Sequence, residues 1–315
     1  MNLVVLDGHT VNPGDLDWSR IEVLGNLQVH DRTPSADIVD RSQEAQILIV
    51  NKVRIDAEIF AALPNLKAIF LLATGYDNIN IDSARAKGVA VYNAVGYGAE
   101  SVAQHTISLM LAHVNGVIRH HHSVMKGDWS DQDDFSYTLG TVHELKGQTL
   151  GLLGFGKIGS RVAVLARAFG MDILVHSRSK PQVEDIEFVD RESLFARSDF
   201  LSLHVPLSPD TREIINERSL SIMKNQVVLI NTGRGGLVNE RDLARALYEK
   251  RIAGAAVDVL SLEPPRASNP LLSARNCIIT PHMAWSSKEA RRRLIETVAD
   301  NIVHFQNNRP VNRVV

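Results

Sequence analysis

Short unbroken runs of apolar residues punctuate the first hundred positions: Leu3 to Leu6, Ile47 to Val50, Ala68 to Leu72 and Val89 to Tyr92. Strict alternation would mark strands wet on one face, whereas continuous runs mark strands covered on both, as in a parallel sheet with crossover helices. Segments of helical spacing lie between them, notably Asp56 to Leu63 and Asp82 to Lys87, so this stretch predicts one open α/β lobe. From Glu100 to about His120 the pattern changes. Ala103, Ile107, Met110, Leu111, Val114 and Ile118 recur at helical spacing, which predicts a single long helix leading to a second lobe.

A second α/β series follows, with strands predicted at Leu150 to Leu153, Asp172 to His176, Phe200 to Val205, Val227 to Asn231, Gly254 to Val259 and Cys277 to Thr280. Six strands separated by helices is what a Rossmann-type dinucleotide lobe requires. A last helix, about Ser287 to Gln306, repeats Ala290, Leu294, Val298 and Ile302 and is expected to pack back on the first lobe. The predicted class is therefore α/β, two lobes, each an open parallel sheet with helices on both faces. The first lobe, of flavodoxin-like type, takes residues 1–99 plus 287–315, and the second takes residues 100–286.

Composition narrows the function. The 315 residues are 44% hydrophobic, enough for two cores, and 34 basic residues stand against 36 acidic ones, a net charge of −2. That balance lacks the basic footprint of a nucleic-acid binder and suits a small neutral or anionic metabolite. No apolar stretch approaches the roughly 20 residues of a membrane span, and no leader pattern precedes Leu3, so a soluble cytoplasmic protein is expected. The single cysteine, Cys277, reads as a buried packing residue. In the polar stretch Gly127 to Lys146, Asp131, Asp133 and Asp134 read as solvated charge, while Trp129 and Phe135 fit either a partner subunit or a core. Arg119-His120-His121-His122 invites a metal reading, but neighbours on a helix diverge by about 100°, so no metal is expected. Arg291, Arg292 and Arg293 read as an exposed stripe on the last helix.

Gly154-Phe155-Gly156-Lys157-Ile158-Gly159 follows an apolar strand and opens a helix pattern at Val162, Leu165, Ala166 and Phe169. In that context the first glycine permits a tight turn, the second lets backbone approach a pyrophosphate, and the third lets helix and strand pack closely. The next strand ends in Ser177-Arg178 where an acidic residue would normally hold the ribose 2′-hydroxyl. A hydroxyl and a guanidinium would instead accept a 2′-phosphate, so NADP(H) is favoured over NAD(H). Three further segments place polar groups just after strands: Asn231-Thr232-Gly233-Arg234-Gly235, Asp258 to Pro264 with Glu263, and Thr280-Pro281-His282 through Trp285. They supply what keto-acid reduction needs. Arg234 can grip a carboxylate or polarise a carbonyl, His282 can deliver a proton, and Glu263 can keep that histidine protonated and oriented. Singly, each has a bland alternative as a surface charge, a structural histidine or a turn.

The order of these motifs resembles the D-isomer-specific 2-hydroxyacid dehydrogenases over nearly the whole chain. Ala73 to Asn78 resembles that family's substrate-carboxylate loop, and Glu100 to His105 its interlobe helix. The resemblance implies that the first lobe is the substrate domain, with Thr74, Gly75 and Tyr76 at the substrate carboxylate. It also implies that Thr232, Gly233 and Asp258 lie near the nicotinamide end, that His204, Val205, Pro206 and Thr211 flank the adenosine, and that the protein is a homodimer through the cofactor lobe. Gln104 departs from an acid common in relatives, and Ser177-Arg178 departs from the ribose-binding acid. The Asn51-Lys52 strand end, the Gln104-containing helix and Trp285 point toward glycerate dehydrogenases, equivalently hydroxypyruvate or glyoxylate reductases, with Lys52 or Asn51 meeting a terminal hydroxyl and Trp285 either limiting the substrate or closing the core. D-lactate-type reductases are the alternative, and a nucleotide-sensing corepressor is the competing non-enzyme.

Overall fold

Alternating side-chain direction along each strand sorts the first sheet's apolar residues onto two faces. Its strands are β1 (Asn2–Val5), β2 (Asn26–Val29), β3 (Ile47–Val50), β4 (Ala68–Leu71) and β5 (Ala90–Tyr92), all parallel, in the order β2-β1-β3-β4-β5. Leu3, Val5, Ile47, Ile49, Phe70 and Tyr92 face one side, where Leu294, Val298 and Ile302 of the helix Lys288–Gln306 cover them. Val4, Leu48, Val50, Ile69, Leu71 and Val91 face the other, against Phe60 and Ala84 of the helices Ala57–Ala62 and Ile81–Lys87. Period-two strands covered on both faces give the unbroken apolar runs of the sequence. This computed structural model describes residues 1–315 and divides into two units, Met1–Gly98 with Trp285–Val315, and Ala99–Ala284.

The second unit holds a seven-stranded parallel sheet: β6 (Thr149–Leu153), β7 (Asp172–His176), β8 (Glu187–Phe188), β9 (Phe200–Leu203), β10 (Val228–Asn231), β11 (Gly254–Val257) and β12 (Cys277–Ile279). The order β12-β11-β10-β9-β6-β7-β8 reverses direction between β6 and β9, the switch point at which doubly wound sheets bind ligands. Three strands, β9, β11 and β12, stop one or two residues short of the apolar runs, because the chain turns out there into the loops that carry polar groups.

The structure differs from the sequence reading at several points. β2 and β8 were not visible in the apolar pattern: each is a largely exposed edge strand, with little to bury. The stretch from Glu100 to His120 is two helices, Ala99–Val114 and Val117–Met125, broken at Gly116 with φ 57°, a left-handed conformation that glycine adopts without strain. Arg291 is not part of an exposed stripe. It is 8% exposed, pairs with Asp15 at 2.7 and 2.8 Å and donates to Val11 O at 3.0 Å, while Arg293 donates to Tyr97 O at 2.9 Å. Phe135, 91% exposed, and half-exposed Trp129 do not join a core. His120 is held by backbone, its Nδ1–H donating to Gly116 O and its Nε2 accepting from Leu139 N–H. No group of three or more His, Cys, Asp or Glu side chains converges in a way that could hold a metal ion, and no helix is long and apolar enough to cross a membrane. Cys277 packs at the edge of a core cluster, where burial pushes its thiol up to about 12, so it is unreactive near neutral pH.

Candidate active site

The glycine turn is shaped by what an added Cβ would strike. At Gly154, where φ is 102°, it would meet His204 O at 2.4 Å, and at Gly159 it would meet Gly154 O at 2.3 Å. Neither position tolerates a side chain. At Gly156 nothing lies within 4 Å, so the backbone there faces open space at the start of the helix Lys157–Ala168. A Cβ-free cradle leading into a helix N-terminus fits a dinucleotide pyrophosphate. Phe155 and Ile158 turn inward instead, Phe155 meeting Phe188 edge-on at 5.7 Å.

Strand register brings the next residues to the same edge. Leu153 pairs with His176 on one side and with Leu203 on the other, so Ser177 and His204 leave the sheet on either flank of the turn. Arg178 is exposed and Ser177 half-buried. His204 N–H donates to Leu153 O at 2.7 Å, and its Nε2 meets Ser202 Oγ at 2.9 Å. The residue as a whole is only half-buried, but desolvation of its ring drives the imidazole down to about 4, so it is neutral in working buffers. After Val205 and Pro206 the loop is tied by Thr211, whose hydroxyl donates to Pro206 O at 2.7 Å and accepts from Ser208 N–H at 2.8 Å.

The three charged candidates follow three adjacent strands, β10, β11 and β12. The Asn231 side chain braces the first loop, accepting from Gly233 N–H at 3.0 Å and donating to Arg234 O at 2.9 Å. Thr232 is 8% exposed, and its hydroxyl meets that of Thr106 at 3.1 Å. A Cβ on Gly235 would fall 1.9 Å from the Leu260 carbonyl carbon, so only glycine lets the Arg234 loop lie against the loop that carries Glu263. The Arg234 guanidinium, half-buried, donates to Gly233 O at 2.9 Å. Glu263 accepts from Leu260 N–H at 2.9 Å through Oε1 and meets His282 Nδ1 at 2.6 Å through Oε2. With Nδ1 donating to the carboxylate, Nε2 is the nitrogen left to carry a transferable proton. His282 itself sits at φ 51°, a left-handed conformation costly for a non-glycine residue and persisting where surroundings over-determine it. Here its N–H donates to Asp258 O at 2.7 Å, and the buried Asp258 carboxylate accepts from Thr280 Oγ1 at 2.6 Å, Met283 N–H at 2.9 Å and Ala284 N–H at 2.8 Å. Such a set can hold an anionic substrate and exchange a proton with a carbonyl oxygen.

Sequence reasoning did not single out the braces. Glu240 accepts from Ser261 N–H at 2.7 Å and from Asn269 Nδ2 at 2.9 Å, and His105 meets Thr280 Oγ1 at 3.0 Å. Glu240 gives no local signal, since its partners lie about twenty to thirty residues on; His105 sits in the quoted Glu100 to His105 motif but without an evident partner.

In the first unit the other candidates, Trp285 apart, lie after β3 and β4. Thr74 Oγ1 donates to Ala94 O, and Asn93 Nδ2 donates to Thr74 O, each at 2.7 Å, leaving Gly75 half-buried and Tyr76 exposed. The Lys52 N–H donates to Asp7 at 2.5 Å, and Trp285 meets Tyr97 edge-on at 6.3 Å against that unit's core.

Residues 107–284 match the family model described as D-isomer specific 2-hydroxyacid dehydrogenase, NAD binding domain. The chain belongs to the D-isomer-specific 2-hydroxyacid dehydrogenase family. It is 39% identical to a hydroxypyruvate reductase of Blautia hydrogenotrophica, over 100% of this chain and 99% of that protein. It is 40% identical to a glycerate dehydrogenase of Methylorubrum extorquens over 88% of each chain. Among solved structures, an acyclic imino acid reductase in complex with NADPH and D-Arg superposes with a TM-score of 0.88 at 32% identity, all of both chains being covered. As a D-2-hydroxyacid dehydrogenase the protein is an oxidoreductase that moves a hydride between a nicotinamide cofactor and a small 2-keto or D-2-hydroxy acid. The resemblance read from the motifs is thereby borne out.

Proposed function

We propose that this dehydrogenase reduces hydroxypyruvate or glyoxylate with NADPH, hydroxypyruvate giving D-glycerate, and that His282 is its proton donor. The observation carrying the reading is the 2.6 Å contact between His282 Nδ1 and Glu263 on the strand-end loops of the sheet that bears the glycine turn. The substrate follows from the relatives named hydroxypyruvate reductase and glycerate dehydrogenase. The cofactor preference follows from Ser177 and Arg178 where an acid would exclude a 2′-phosphate, and from the NADPH bound by the imino acid reductase.

Gly154 to Gly159 would hold the pyrophosphate, Ser177 and Arg178 the adenosine phosphate, His204 to Pro206 and Thr211 the adenosine, and Thr232, Gly233 and Asp258 the nicotinamide end. When bound, the reduced cofactor supplies the hydride. Arg234 binds the substrate carboxylate and polarises the carbonyl; the first unit's own candidates for a carboxylate are the backbone amides of Gly75 and Tyr76, with Thr74. Protonated His282 donates from Nε2 to the carbonyl oxygen as the carbonyl carbon is reduced, and Glu263 stabilises the imidazolium beforehand. In the oxidation direction the same nitrogen accepts the hydroxyl proton. Lys52 meets a terminal hydroxyl, and Trp285 limits the length of the side chain accepted. The exposed apolar side chains Val117, Ile118, Met125, Trp129 and Phe135 supply the contact of a homodimer, and the enzyme works in the cytoplasm.

Initial rates with hydroxypyruvate, glyoxylate, pyruvate and 2-ketobutyrate, each against NADPH and NADH, test the reading. Hydroxypyruvate or glyoxylate with NADPH should give the highest kcat/KM. A pyruvate optimum would make this a D-lactate-type enzyme, a clear NADH preference would remove the role of Arg178, and no turnover at all would favour a sensor.

A further inference from the structure

The turn that carries His282 is fastened to a second histidine. His105, on the helix Ala99–Val114, places Nε2 at 3.0 Å from Thr280 Oγ1 and at 3.6 Å from Asp258 Oδ1. The Thr280 hydroxyl has one proton, and it is directed at Asp258 Oδ1, 2.6 Å away. What Thr280 offers His105 is therefore a lone pair, so His105 must present an Nε2–H. The direction of the chain is fixed: imidazole N–H to threonine hydroxyl, hydroxyl to carboxylate. The carboxylate in turn accepts the N–H groups of Met283 and Ala284, the two residues that follow the left-handed His282. Ala284 is tied once more, its carbonyl accepting from Ser101 Oγ at 2.6 Å, one helical turn before His105. Burial keeps His105 below the ordinary histidine range against the pull of Asp258, the charged group acting on it, which suits a neutral donor.

We propose that His105 is a positioning residue for the reduction, holding the Asp258 carboxylate through Thr280 and thereby the aim of His282 at Glu263. This rests on His282 being the proton donor. Without the His105 N–H, the Thr280 hydroxyl is free to rotate and Asp258 loses its outer support. The His282 turn can then relax, and a looser contact with Glu263 stabilises the imidazolium less. The alkaline limb of kcat for keto-acid reduction, which reports the proton to be donated, then moves toward acid.

The test compares H105F, H105Q, T280V, T280S and H282A in the full chain, measuring kcat and KM for keto-acid reduction from acid to alkaline pH at saturating reduced cofactor. H105F and T280V should each lower kcat about tenfold, change KM less than about twofold and shift the alkaline limb down by about half a unit or more. H105Q, whose amide N–H can donate, and T280S, which keeps the hydroxyl, should restore both rate and limb. Reduced kcat with an unmoved limb would mark a merely structural role and overturn the proposal, as would H105Q no better than H105F. Should H105F fail to fold, T280V carries the same test through a near-isosteric change. H282A separates the two levels: substantial turnover in that variant sinks the assignment of the proton donor, whereas an inactive H282A beside a normal H105F and T280V sinks only the role of His105.

Discussion

At the carboxyl end of β1 the Asp7 carboxylate accepts the backbone N–H groups of Asn51, Lys52 and Val53 at 2.7, 2.5 and 2.9 Å. At the carboxyl end of β6 the turn runs instead through Gly156, where even an added Cβ would meet nothing within 4 Å. Both ends lie at switch points of doubly wound sheets, between β1 and β3 in one unit and between β6 and β9 in the other, where backbone amides converge and an anion is favoured. The first sheet fills the position with its own carboxylate; the second leaves room for a ligand's phosphate. The same fold principle thus yields a closed structural joint in one unit and an open turn that a dinucleotide phosphate fits in the other, and the choice turns on a single acidic residue against three glycines.

Substitutions can break this contrast. The largest effect is expected at His282, the proposed proton donor: His282→Ala should lower kcat by roughly 10²–10⁴-fold while leaving cofactor affinity, measured by fluorescence titration, near that of the unaltered enzyme. Near-normal turnover would return the proton-transfer role to another group. Next comes Gly156→Ala. With open space around it and φ at −84°, alanine should leave the melting temperature unchanged, yet weaken cofactor binding on the order of 10–100-fold by obstructing close backbone approach. A loss of stability with unchanged affinity would reverse the reading of that turn. Asp7→Ala should do the opposite, costing about 1–2 kcal/mol in urea unfolding as the amides lose their acceptor, since exposed Lys52 can turn to water, with cofactor affinity unaltered.

The smallest effect concerns a carboxylate that fastens the last helix to the loop after β1 within the first unit. Its guanidinium hydrogen bond from Arg291, opposed by desolvation, holds Asp15 at about 2 against an ordinary 3.8. The folded state binds fewer protons than the unfolded chain across that interval. The pair's contribution is therefore complete above about pH 4 and is lost as pH falls toward 2. In acid titrations followed by circular dichroism, Asp15→Asn should be less stable than the native chain above about pH 4, and the gap should close below it. A gap of constant size would show that ionisation of Asp15 is not what matters.

Much of this was legible beforehand because it depends on local patterns. Continuous apolar runs marked the buried strands β3, β4, β9 and β10, and the spacing of glycines between strand and helix marked the cradle. Arg234, Glu263 and His282 stood out because charged groups just after buried strands have few structural reasons to be there. The edge strands β2 and β8 left little trace, since an edge with solvent on one side needs few apolar residues. The break at Gly116 was present in the sequence as Asn115-Gly116, but helical spacing on both sides masked it.

The sequence by itself determined the class of fold, the position of the glycine turn and the family, because each rests on residues within a few positions of one another or on motifs in fixed order. Tertiary structure alone decided that Arg291 is a buried partner of Asp15, that Glu240 fastens the Glu263 loop, and that His105 reaches Thr280 across 175 residues of chain. A side chain's hydrogen-bond partner is set by where separate elements come to rest, and no local periodicity encodes that meeting.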